Sequence, residues 1–212
     1  TVSFVGLILA VFLGSNLITK DIDKKTIYSV ITRPISRSNY VLGRFLGMVF
    51  VLFVSTLLLT AFGLLSFYIT IKFFNYLGEK PSWFLFGINF LLSLEMLLLL
   101  VSTSFLISSV ATSSFLPLAV TIVFYYAGQS IAKVKVLLET WKGTELSAIF
   151  KAVVTAAYYI VPNLTLFDFK ARAAYNLPVP MKEILFIFSY GVIYTAILLI
   201  LAIKIFDKRD IS

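Results

Sequence analysis

The sequence contains no cysteine and no histidine. That removes disulfides, thiolate and imidazole metal ligands, and every catalytic scheme built on a thiolate nucleophile or an imidazole base. Charge is scarce too: Asp, Glu, Lys and Arg make up 13% of the 212 residues, while apolar residues make up 60% and the mean hydropathy is +1.00. A soluble domain of this length needs much less apolar surface to fill one core, so water is not the main solvent of this chain. A phosphate-cradling GxxxxGK[ST] loop is missing, so no nucleotide site of that kind is read in these residues. Paired carboxylates are missing from the apolar runs, which leaves a membrane-embedded enzyme little to work with. No catalytic residue, cofactor site or metal site is assigned to the chain.

What remains is a set of long apolar runs. A bilayer core about 30 Å thick takes roughly 20 helical residues to cross. Five runs approach or exceed that length, at about 2–18, 45–71, 83–111, 115–132 and 184–206. They lack strand alternation and are too long for barrel strands, so the spacing predicts helices and an all-α, polytopic membrane fold. Residues 1–212 read as a single transmembrane domain. The chain opens inside an apolar run with no charged flank, so one further span and its loop are expected to precede it, giving six in all.

The net charge of +8 sits between the spans, where anionic lipid and the positive-inside rule account for it; nucleic acid is not indicated as a partner. The loop 19–44 holds Lys20, Lys24, Lys25, Arg33, Arg37 and Arg44 against Asp21 and Asp23, and is expected in the cytoplasm. The segment 133–183 then lies outside. Within it residues 146–162 are apolar except for Lys151, and a lysine in mid-span is costly, so an interfacial or re-entrant helix pair closed by Pro162 and Asn163 is the expectation rather than a sixth span. Asn163 with Thr165 fits a glycosylation pattern, but an asparagine after proline is better explained as a turn.

Residues 19–47 read TKDIDKKTIYSVITRPISRSNYVLGRFLG. Ile27, Val30 and Ile31 fall at helical spacing among polar neighbours, which predicts an amphipathic helix from about Asp21 to Thr32, ended by Pro34. Ser36 or Ser38 can cap the helix that follows, and Gly43 with Gly47 gives a small-residue face for close packing. On composition alone this is also what an ordinary basic cytoplasmic linker looks like.

This stretch resembles the signature of ABC-2 type transporter permeases: an acidic residue followed by Thr, a short helix, Pro-Ile-Ser-Arg, and a Gly-Lys or Gly-Arg pair. Asp21 and Thr26 stand at the first two positions, Pro34, Ile35, Ser36 and Arg37 at the turn, and Gly43 and Arg44 at the pair. The chain has Asp21 where the family more often has Glu, and Lys25 where Gly is common. A second stretch, YYIVPNLTLFDF from Tyr158 to Phe169, is similar to the outer-face segment of the branch that includes the nitrous oxide reductase maturation permeases.

The resemblance implies a permease subunit of an ABC transporter, located in the inner (plasma) membrane of a prokaryote. It would form the substrate pathway with a second permease copy or homologue inside the lipid bilayer. A cytoplasmic ABC ATPase subunit would bind ATP and Mg, and the loop 19–44 would be the coupling helix resting on it. The coupling residues so implied are Asp21, Asp23, Thr26, Arg33, Pro34 and Arg37.

Glu95 is the one acid deep inside an apolar run, and Ser102 and Ser109 follow at seven-residue steps on the same helical face. The three form either a polar point on a substrate or proton path, or a hydrogen-bonding face inside the bundle. The first option carries the alternative function, an ion- or proton-coupled secondary transporter using Glu95.

Overall fold

The computed structural model describes residues 2–23, 36–74, 82–113, 115–140 and 148–208. Seven α-helices account for most of them: α1 (Val2–Asp23), α2 (Arg37–Phe74), α3 (Trp83–Val110), α4 (Phe115–Thr140), α5 (Ala148–Ile160), α6 (Lys170–Ala174) and α7 (Met181–Asp207). A single 3-10 turn, Leu164–Phe167, lies between α5 and α6. Among the described residues there is no strand, so the fold is all-α.

The helices outrun the apolar stretches that announce them. The run expected at 45–71 belongs to a helix that starts at Arg37, and the run at 115–132 to one that ends at Thr140. Hydropathy marks where hydrocarbon contact ends, whereas backbone hydrogen bonding continues until a cap or breaker stops it. Ser36 supplies the stop for α2 by accepting the Asn39 N–H at 3.3 Å, and Ser82 does the same for α3 with the Leu85 N–H at 3.3 Å. The loop expected over 19–44 is therefore helical at both ends, in 19–23 and 37–44. Of the amphipathic helix expected from about Asp21 to Thr32, residues 21–23 belong to the last turn of α1 and residues 24–32 lie outside the described residues.

Among the described residues four helices, α2, α3, α4 and α7, are long and apolar enough to cross a bilayer, where five were expected. The difference is α1. Its 22 residues make a helix about 33 Å long, but the apolar stretch within its described side chains is Phe4–Gly14. Among the described residues of 146–162 there is the 13-residue α5, about 20 Å long, shorter than about 30 Å of hydrocarbon.

One helix organises the rest. α3 makes its most extensive contacts with α7, then with α1 and α4, and it also touches α2, α6 and the 3-10 turn. Leu92, Leu97, Leu99, Leu100, Val101 and Phe105 on α3 are buried around its circumference. α7 comes closest because Gly191 has no side chain: a Cβ there would lie 2.6 Å from Glu95 Cγ and 2.8 Å from Phe167 Cε1. At one end of the bundle Tyr40 of α2 stacks on Phe206 of α7, and the Arg44 guanidinium lies over the Tyr40 ring at 5.6 Å. Toward the other end the segment 160–180 packs against α3, α4 and α7. There the Ser82 N–H donates to the Ala173 carbonyl at 3.1 Å, joining the start of α3 to α6.

Candidate functional site

The residues singled out in the sequence fall into three places. The first is the end of the bundle at residues 23 and 37. Asp21 and Asp23 occupy the last turn of α1, and Arg37 is the first residue of α2. α1 and α2 pack on one another. Thr26, Arg33 and Pro34 lie outside the described residues.

The second place is the polar face of α3. Glu95, Ser102 and Ser109 are all buried, as their seven-residue spacing requires of groups that avoid lipid. The Ser102 hydroxyl donates to the Leu98 carbonyl at 2.8 Å and the Ser109 hydroxyl to the Leu106 carbonyl at 2.7 Å, so both bond within their own helix. Glu95 faces outward from α3 into the seam with α7. Gly191 lies against its side chain, and Thr195 of α7 lies beside it without a well-formed bond from its hydroxyl. Glu95 is thus packed at the α3–α7 seam on Gly191, the same glycine that the Phe167 ring packs against.

The third place is that motif, Tyr158–Phe169, together with its anchors. Asn163 turns the chain, its Oδ1 accepting from the Thr165 N–H at 3.2 Å and the Thr165 hydroxyl at 2.6 Å. Two tyrosines one turn apart on α7 hold the backbone on either side of Pro162. Tyr190 accepts the Asn163 N–H at 3.2 Å, and the Tyr194 hydroxyl donates to the Ile160 carbonyl. Asn89 of α3 accepts the Phe169 N–H at 3.1 Å. The Lys135 ammonium lies over the Tyr158 ring at 3.9 Å, tying α4 to α5. Gly128 of α4 lets the turn seat closely, since a Cβ there would meet the Leu164 side chain at 2.6 Å and the Pro162 carbonyl at 2.8 Å. Asn89, Tyr190, Gly191, Tyr194 and Thr195 were not singled out in the sequence. The available signal was polarity or smallness inside apolar runs, which marks a helix face turned away from lipid.

The first and third places carry the residues by which the sequence resembles a transporter family, and the comparison with known families agrees over almost the whole length. Residues 1–211 match the family described as ABC-2 family transporter protein. The chain belongs to the ABC-2 transporter family. It is a multi-pass membrane protein and a membrane permease component of an ABC transporter. No curated protein matches the sequence. In this ABC-2 permease the helix ends at Asp23 and Arg37 and the motif Tyr158–Phe169 lie toward opposite ends of the bundle, whose helices α2, α3, α4 and α7 share the α3 core.

Proposed function

We propose that this ABC-2 permease forms the substrate pathway together with a second copy or homologue. It is driven by separate cytoplasmic ATPase subunits that bind ATP and Mg and dock on the region 19–44. The membrane is the inner (plasma) membrane of a prokaryote. One observation carries the reading: the acidic end of α1 and the basic start of α2 bracket the signature segment, and both helices are rooted in the α3 core. A coupling element has to move as a rigid body, because a flexible linker would absorb the ATPase's displacement before it reached the spans. Two helices entering from either side meet that requirement.

The alternative, a secondary transporter using Glu95, draws on the burial of a carboxyl within the bundle. Its close packing against Gly191 favours a role in joining α3 to α7 instead.

The test is Asp21→Ala combined with Arg37→Ala in the permease reconstituted with its ATPase. Exposed ion pairs are worth about 0–1 kcal/mol, so folding and insertion are expected to survive while coupling fails. The outcome should be weak ATPase copurification, or ATP hydrolysis without transport, with charge reversal worse than removal. Wild-type copurification, hydrolysis and transport in the double variant would sink the assignment.

A further inference from the structure

A lateral cavity of about 260 Å³ opens between α2, α3 and α6, at the end of the bundle away from the region 19–44. Leu64 and Phe67 of α2 and Phe86 of α3 form its apolar walls, with the Phe67 and Phe86 rings 5.5 Å apart. Thr60 on α2 marks its other end, two helical turns or about 10 Å from Phe67. The walls are two membrane-crossing helices, so the space adjoins hydrocarbon, where acyl chains and not water are the filling material. Ligand pockets for whole small molecules run from about 300 to 1,000 Å³, so this one suits a single flexible chain better than a compact solute.

Its polar groups are arranged for a headgroup. Lys170, in the first turn of α6, lines the cavity and is 45% exposed, paired only at 3.4 Å with the equally exposed Asp168. Such a pair is weak, and an ammonium has three donors, so Lys170 can hold a phosphate as well. Asn89, about two turns into α3, also lines the cavity. Its carbonyl oxygen is committed to the Phe169 N–H, which leaves the amide nitrogen as a donor suited to an ester carbonyl.

We propose that this cavity is a lipid site, taking one acyl chain of an anionic phospholipid with its phosphate at Lys170 and its glycerol ester at Asn89. The site is separate from coupling and does not rest on the ATPase reading. Trp83, in the first turn of α3 and 6.1 Å from the Phe86 ring, is a reporter at its rim. With Trp141→Phe as the background, Trp83 is the one remaining tryptophan.

The experiment reconstitutes the full chain in phosphatidylcholine vesicles and titrates in phosphatidylglycerol or phosphatidylcholine with brominated acyl chains, reading quenching of Trp83. Brominated phosphatidylglycerol should reach half-maximal quenching at about a fivefold lower mole fraction than brominated phosphatidylcholine, the worth of one interfacial lysine toward an anionic headgroup. Lys170→Gln should remove that preference and Lys170→Arg should keep it. Gly63→Phe, at an exposed position of α2 that lines the cavity, should fill the space and also abolish it. Equal quenching by the two lipids in the unaltered site would overturn the proposal, as would a preference that survives Lys170→Gln. A preference untouched by Gly63→Phe would place the headgroup on the surface with no chain inside, and would also overturn it.

Discussion

α2 and α3 have nearly the same hydropathy and opposite surroundings. In their most apolar stretches 44% of α3 is buried inside the bundle but only 17% of α2. α3 carries Glu95 and a series of buried serines and threonines, each a liability in lipid and an asset between helices. α2 turns Leu46, Phe50, Leu58 and Phe62 outward, and its Gly43 and Gly47 face open space. Hydropathy alone therefore identifies a span but not its neighbours. The polar minority does that, because a bilayer rewards an apolar side chain equally at every contact with lipid or protein.

The sharpest way to break this contrast is to place the same side chain at a glycine on each side of it. Gly191→Leu drives a branched side chain into Glu95 and Phe167, and overpacking of this kind costs about 1–3 kcal/mol. A clear fall in melting temperature is expected for the purified protein in detergent. Gly47→Leu meets nothing within 4 Å and should leave the melting temperature where it was. Equal losses in the two variants would mean that α2 is packed as tightly as α3.

A smaller effect is expected at Glu95 itself. Interhelical polar contacts in membrane proteins average about 0.6 kcal/mol and reach about 1.7, so Glu95→Leu should lower stability on that scale. Glu95→Gln keeps the hydrogen-bonding capacity and should leave both assembly and transport close to wild type. A well-assembled Glu95→Gln protein without transport would move this carboxyl from the packing seam to the pathway.

The smallest effect belongs to the ion pair between Arg172 of α6 and Glu183 of α7, which are 2.5 Å apart and more than a third exposed. Solvent screening limits its value to below about 1 kcal/mol. Arg172→Gln should shift the melting temperature slightly, and raised salt should shrink the difference. A large, salt-insensitive loss would show that the 160–180 segment is held by charge instead of by Asn89, Tyr190 and Tyr194.

The all-α class and the helices α2, α3, α4 and α7 were legible because twenty-residue apolar runs have few other physical solutions. Pro162 and Asn163 announced their turn. Helix ends were less legible, since Arg37–Arg44 and Lys133–Thr140 stay helical past the apolar boundary. The central position of α3 was hinted at only by Glu95, Ser102 and Ser109. Gly191, which seats α7 on α3, and Tyr190 and Tyr194, which hold the turn at Pro162, are four residues or fewer apart on α7 but far in sequence from what they touch. Pairing of that kind is set by three-dimensional packing and leaves no local periodicity to read.

The length of α2 has a mechanical consequence. Its 38 residues form a rod about 57 Å long with no proline to bend it, nearly twice the thickness of the hydrocarbon it crosses. A rod of that kind is a lever. Tilting it by about 10° about the end at Arg37 would sweep the end at Phe74 through about 10 Å, a displacement as long as the cavity beside Phe67. A small change of angle at the base thus becomes a large stroke at the tip.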